Sequence, residues 1–226
     1  MIKENIREMK NAIKNDDLNF VKNMIESQSV NINEVTSLGS FLHIAVRKAK
    51  YKIAEYLIDA GIDLELLSEY PKITALSEAV LGGEINIVKL LCDKGAKLDT
   101  LTSENNPLFF AISGRKVEIA KYLIDAGIDI YTTYKIGEIE NCDACEWAKK
   151  WGTKDVYDYL VEKETQDAKK FEIKIENSTL EEIKKTVLGA EDLYLEGEKI
   201  ICSAKGRRQL IEANVVGISF NELKKI

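Results

Sequence analysis

The chain has 226 residues, 45% of them hydrophobic and 31% charged, with a formal charge of −6, one histidine and four cysteines. That balance suits one or two folded domains rather than a disordered chain, and the acidity, with a pI near 5.1, argues against a nucleic-acid partner, because phosphate binding draws on clustered Lys and Arg. Apolar runs fall short of the roughly 20 residues that span a bilayer, and the opening MIKENIREMKNAIKNDD carries charges where a secretion signal needs an apolar stretch. Cys92, Cys142, Cys145 and Cys202 are too few and too unevenly spaced for a disulfide framework. The expectation is a cytoplasmic protein with no membrane and no nucleic-acid partner.

From the N-terminus, Ile6 to Asn33 places Ala12, Val21, Met24 and Ile25 on helical faces, without a glycine turn. A more regular unit then follows and recurs. Its second half is nearly triplicated as IAEYLIDAGIDL from Ile53, IVKLLCDKGAKL from Ile87 and IAKYLIDAGIDI from Ile119. Gly61, Gly95 and Gly127 stand 34 and 32 residues apart, and Ala45, Ala79 and Ala111 keep the same spacings, so a whole unit repeats. In Val117 to Asp125 the apolar residues Ile119, Ala120, Leu123 and Ile124 form one helical stripe ended by Gly127.

A first, alanine-bearing helix precedes each stripe, at Leu42 to Lys50, Leu76 to Glu84 and Leu108 to Lys116. A helix pair this short cannot bury its apolar face alone, so the units must stack as a solenoid. Cys142 to Lys163 continues the phase through Ala148, Gly152, Tyr159 and Leu160.

These residues resemble the ankyrin repeat. Gly39-Ser-Phe-Leu-His-Ile-Ala45 followed by Leu57-Ile-Asp-Ala-Gly-Ile-Asp63 is similar to the family consensus G-x-T-P-L-H-x-A-A through L-L-L-x-x-G-A-D. Thr74-Ala-Leu76 and Asn106-Pro-Leu108 match the same turn. The resemblance is specific from Leu38 to Ile130 and, with degenerate terminal units, covers roughly residues 4 to 164. Ala49 and Arg115 depart from it, standing where the family usually has Gly after the first helix.

It implies a mainly α fold of about five helix pairs in an ankyrin-repeat domain, residues 1–165. It also implies partner binding on the concave face, at the turn tips and the variable ends of the first helices. Carried over by alignment, the first-helix positions are Arg47 and Lys48, Leu81 and Gly82, Ser113 and Gly114, and Lys150 and Trp151. The tips include Leu38, Glu69, Tyr70, Lys72, Glu104, Asn105, Tyr131 and Tyr134. The partner-binding set is thus Arg47, Lys48, Tyr70, Leu81, Ser113, Tyr134, Lys150 and Trp151. Tyr70, Tyr134 and Trp151 are the favoured anchors, because large rings bury area at low entropic cost. The competing expectation is that these rings pack between neighbouring repeats or on a loop over Thr132 to Asn141.

From Lys170 the period changes. Phe171, Ile173 and Ile175 alternate with charged residues as in a strand. Ser178 to Glu181 is spaced as a capping box for a helix whose face is Leu180, Ile183, Val187 and Leu188. A hairpin of 193–195 and 200–202, a helix over 204–213 and a strand over 215–220 complete a β-α-β-β-α-β order. The predicted second unit is a small α+β C-terminal domain, residues 166–226, either independent or docked on the last repeat. No family resemblance is found in it.

Candidate chemistry is sparse. His43 occupies the H of the turn motif and is expected to tie adjacent turns by hydrogen bonds. Cys142-Asp-Ala-Cys145 has C-x-x-C spacing but no second ligand pair, so buried apolar thiols are expected and no metal or cofactor is implied. Gly82-Gly83 lacks the Lys-Ser or Lys-Thr of a phosphate loop. Lys205, Arg207 and Arg208 read as a solvated helix face.

With no nucleophile beside a visible base, the expected function is not enzymatic but protein–protein interaction by a monomer. The negative charge favours a basic partner. A sharper form is an immunity or antitoxin-type inhibitor of a toxin or effector; the abundance of Lys, Ile and Asn fits an AT-rich, bacterial genome. Two other classes stand beside it, a ligand-binding or enzymatic tail targeted by the repeats and a self-assembling scaffold.

Overall fold

A computed structural model gives the fold and describes residues 2–166, 170–175, 193–196, 199–203, 207–208 and 218–222. Ten helices among the described residues form five antiparallel pairs: α1 (Ile2–Lys14) with α2 (Leu18–Glu26), α3 (Phe41–Arg47) with α4 (Tyr51–Asp59), and α5 (Ala75–Gly82) with α6 (Ile85–Asp93). The last two are α7 (Pro107–Ser113) with α8 (Val117–Asp125), and α9 (Ala144–Lys150) with α10 (Lys154–Gln166). The odd-numbered helices contact one another in a row, and so do the even-numbered ones. The stack follows from its side chains: Ala45, Ala79, Ala111 and Ala148 are fully buried, which lets the first-row helices approach closely. Leu57, Leu91, Leu123 and Leu160 are fully buried in the second row.

Every repeat helix of the first row after α1 begins on a short polar N-cap. Ser40 accepts from the His43 N–H, Thr74 from Ser77, Asn106 from Leu108 and Phe109, and Asp143 from Glu146. A side-chain acceptor there satisfies amide groups that have no intrahelical partner.

The first helices end two or three residues sooner than their sequence pattern predicts. The cause is one left-handed residue in each inter-helix turn: Asp16, Ala49, Gly83, Arg115 and Gly152 all have positive φ. Ala49 and Arg115 therefore keep the turn geometry of glycine despite their Cβ atoms. Left-handed backbone costs an L-residue about 1–2 kcal/mol, part of which glycine returns through its more mobile unfolded chain. Ala49→Gly and Arg115→Gly are each expected to stabilise the protein by about 0.5–1 kcal/mol, read as a raised urea midpoint; a lowered midpoint for both would contradict this.

Two tips are hairpins, β1 (Val35–Thr36) with β2 (Gly39–Ser40) and β3 (Tyr134–Ile136) with β4 (Ile139–Cys142). The second lies where a loop was predicted from Thr132 to Asn141. In the C-terminal part, β5 (Lys170–Ile175), β6 (Leu193–Glu196), β7 (Lys199–Ser203) and β8 (Ile218–Glu222) form an antiparallel sheet in the order β6-β7-β5-β8. The hairpin expected there is present as β6 and β7, paired Leu193↔Cys202 to Glu196↔Lys199. The last predicted strand, over 215–220, is present from Ile218 as β8, and 215–217 lie outside the described residues. The two predicted helices, from 178 and over 204–213, lie outside the described residues except at Arg207 and Arg208, which are helical.

Candidate binding surface and buried arginine cluster

The ends of α3, α5, α7 and α9 lie side by side, so the aligned positions Arg47, Leu81, Ser113 and Lys150 form one row and Lys48, Gly82, Gly114 and Trp151 the next. Their side chains differ in what they are free to do. Arg47 Nε and Nη2 each lie 2.8 Å from a carboxylate oxygen of Glu78 on the adjacent helix, and Nη1 donates to the Leu38 carbonyl at 3.2 Å. Its guanidinium thus joins two units. Ser113 donates to the Phe109 carbonyl at 2.9 Å within its own helix. Lys48 is exposed, and exposed Lys150 places its Nζ 5.5 Å from the centre of the Trp147 ring.

Leu81 is 45% and Trp151 41% exposed, and Tyr70, on the tip that leads into α5, is 91% exposed. Tyr134 is not a free tip residue. Its hydroxyl donates to the Thr100 carbonyl at 2.5 Å and accepts from Asn106 Nδ2 at 3.1 Å, while its ring meets Phe109 edge-on at 5.2 Å. Tyr131, also expected at a tip, is buried.

One aromatic missing from the sequence-based set organises this end of the face. Trp147 stacks on Phe109 at 5.0 Å and 9°, donates its indole N–H to the Phe109 carbonyl at 3.1 Å, and meets Trp151 edge-on at 5.7 Å. Trp147 and half-buried Phe110 precede the constant alanines Ala148 and Ala111, where earlier units carry Ile44 and Glu78. That register was the available signal. By helical register, Leu81, Phe110 and Trp147 face one side of α5, α7 and α9, and with Trp151, the residue that caps α9, they form an apolar strip.

His43 is fully buried. Its Nδ1 faces the Ser40 hydroxyl at 2.8 Å, and its Nε2 faces the Ile73 carbonyl of the next tip at 2.9 Å. A carbonyl can only accept, so Nε2 carries the proton and Nδ1 accepts. Gly39, at φ 87°, makes room for the ring: a Cβ there would sit 2.8 Å from His43 Cβ and Cγ. Burial lowers the imidazole pKa, against the raising effect of the Ile73 bond and of Glu78. The ring is a cross-tie between turns, as its place in the motif predicts.

Cys142 and Cys145 are buried free thiols. Burial pushes Cys142 up to about 12, with Asp143 adding to it, and pushes Cys145 well above its ordinary value. Both are protonated at neutral pH and so poor nucleophiles and ligands. Among the described residues, no group of three or more His, Cys, Asp or Glu side chains is placed to hold a metal ion.

Arg207 and Arg208 overturn the expectation of a solvated helix face: they are 0% and 5% exposed. Lys205 lies outside the described residues. Arg207 Nη1 lies 2.8 Å from Asp143 Oδ2, Nη2 donates to the Tyr131 carbonyl at 2.5 Å, and the guanidinium carbon lies 5.3 Å from the Tyr131 ring centre. Arg208 grips both Glu164 oxygens at 2.9 Å through Nε and Nη2, and Nη2 also donates to Asp143 Oδ2. Glu146 Oε1 stands 3.6 Å from Arg208 Nη1.

Asp143 thus caps α9 with one oxygen and receives both arginines on the other. Burial would raise its carboxyl, but Arg208, Arg207 and the Glu146 N–H outweigh that and hold it below the usual carboxylate value. Desolvation likewise works against the Arg208 guanidinium, and Asp143 and Glu164 overcome it. A buried ion pair survives only where attraction and hydrogen bonds repay lost hydration. Here each charge has an opposite charge in contact, and Arg207 and Arg208 are held against the fifth helix pair.

A family model for ankyrin repeats in three copies matches residues 65–134. A putative ankyrin repeat protein of Rickettsia felis is 30% identical over 128 residues, 52% of this chain and 57% of that protein. A putative ankyrin repeat protein of fowlpox virus is 27% identical over 116 residues, 51% of this chain and 19% of its own length. The chain carries ankyrin repeats.

In the ankyrin family the row equivalent to α3, α5, α7 and α9, with its tips, borders the concave face and the second row the convex one. The outer row is tied unit to unit by Lys94 with Asp59 at 2.7 Å and Lys163 with Asp125 at 2.6 Å. Lys89 lies over Tyr122 and Lys121 over Tyr159. The chain spans 57% of the Rickettsia relative and a smaller share of the fowlpox one. No helix among the described residues is long and apolar enough to cross a membrane.

Proposed function

We propose that this ankyrin-repeat chain is a non-catalytic module that binds a partner protein through its concave face and tips. The exposed part of the apolar strip, Leu81 and Trp151, carries the reading. These side chains stand at aligned helix ends, beside Phe110 and Trp147, on a scaffold whose only histidine is fully committed to holding two turns together. Large rings at the centre of a surface are the usual anchors of protein interfaces. Arg47, Ser113 and Tyr134 serve the stack in this reading, leaving Leu81, Trp151 and Tyr70 to make contact.

The strip is rimmed by Lys48, Lys149 and Lys150, all exposed. An apolar segment flanked by carboxylates fits it locally, while the net charge of −6 acts at longer range. In this reading residues 1–165 form the interaction domain and 166–226 a second unit attached to its end.

Partner capture tests this. With a captured partner in hand, Trp151→Ala and Leu81→Ala are each expected to weaken binding about tenfold, near the 1–2 kcal/mol lost with an interface anchor, with the circular dichroism spectrum unchanged. Tyr51→Ala, an exposed residue at the start of convex helix α4, should leave affinity intact. The reverse pattern would move the interface to the convex side.

A further inference from the structure

The C-terminal arginines sit in a receptor built by the last repeat and the tip that leads into it. Its walls are the N-cap of α9 (Asp143), the side chain one turn later (Glu146), the end of α10 (Glu164), and the carbonyl and ring of Tyr131. Asp143 and Glu164 are themselves buried. Repeat architecture demands no acid at these points: the equivalents of Asp143 are Ser40, Thr74 and Asn106, and those of Glu146 are His43, Ser77 and Phe109. Only the fifth unit places carboxylates there. A neutral cap would serve α9 as well as it serves the other helices, so the added charge matches its occupant and not the fold.

The recognition is specific to guanidinium in form. Arg208 presents two N–H groups to the two oxygens of Glu164, a planar fork that an ammonium cannot reproduce, and Arg207 lies against an aromatic ring. We propose that this cavity is a binding site for a pair of adjacent arginines, filled in cis by Arg207 and Arg208, which latches the C-terminal unit to the stack. An Arg-Arg peptide segment is the class of ligand that competes for it. Asp143 and Glu146 put the site at the N-terminal end of α9, the end opposite to Lys150 and Trp151.

The test uses the full chain. A fluorescein-labelled peptide of residues 203–212 should bind saturably to Arg207→Ala/Arg208→Ala protein, at least about tenfold more tightly than to the wild type, where the cis arginines already fill the site. Replacing both peptide arginines by lysine should abolish binding. Equal binding of the lysine peptide, equal binding to the wild type, or no binding to a folded variant each overturns the proposal.

Should that variant not fold, the wild type gives the answer by NMR. The Arg208 Nε–H signal, assigned by its loss in Arg208→Lys, should persist at pH 7 because it is buried and bonded to Glu164; rapid exchange of that proton overturns the latch. Light scattering completes the test: a dimer that dissociates in the double variant would mean that the arginines of a second copy fill the site, contrary to occupancy in cis.

Discussion

Arg208→Ala is expected to lower the unfolding free energy by about 3–5 kcal/mol, the usual loss when one partner of a buried ion pair is removed. The reason is asymmetric. The native guanidinium has already been desolvated, and its attraction to Asp143 and Glu164 repays that; without it, two buried carboxylates lose their main counter-charge. They must then take up protons or draw in water, and either response loosens the end of α10 and the N-terminus of α9. Urea denaturation followed by circular dichroism measures the effect. A loss under about 1 kcal/mol, the range of exposed pairs, would mean that the cluster is open to solvent.

A double-mutant cycle with Glu164→Ala sharpens this result. Each single change strands a buried charge, whereas the pair removes both, so the double variant should be less destabilised than the sum of the singles by at least about 1 kcal/mol. Strict additivity would show that the two side chains do not meet. Acid adds a second signature. The Asp143 carboxyl is held below its unfolded value, so its contribution is present above about pH 4, the ordinary carboxylate range, and is lost as pH falls through the lower folded value.

The stack and this cluster differ in how far the sequence discloses them, for a physical reason. Leu57, Leu91 and Leu123 are apolar, fall in phase and face neighbours built from the same pattern, so local periodicity already states their burial. The first-row caps are legible in the same way, since Ser40, Thr74, Asn106 and Asp143 each stand five residues before a buried alanine. Burial of Arg207 and Arg208 is decided by acids 64, 65 and 44 residues away. Next to Lys205 in the sequence, two arginines look like any solvated face. Trp147 lies between these cases: its register beside Ala148 marks it as first-row, but its stacking on Phe109 depends on how closely α7 and α9 approach.

The single histidine permits an unusually clean second test. Replacing His43 by Ala removes the Nε2–H bond to the Ile73 carbonyl, the Nδ1 acceptor of the Ser40 hydroxyl and the ring packed on Gly39. Together these are expected to cost about 2–3 kcal/mol at pH 7.5; the Ser68 N–H, 3.0 Å from the same carbonyl, keeps the loss from being larger. The pH dependence follows from the lowered folded pKa. Between that value and 6.5 the unfolded chain holds a proton that the folded chain refuses, so wild-type stability falls as pH drops below 6.5, by as much as about 1.4 kcal/mol per unit. Above pH 7 both states are neutral and the slope vanishes. Since the chain contains one histidine, no other imidazole can supply this slope. His43→Ala should therefore be less stable at pH 7.5 yet nearly flat from pH 7 to 5.5, and the two stability curves should converge toward acid. Persistence of the slope in the variant would place its origin outside His43.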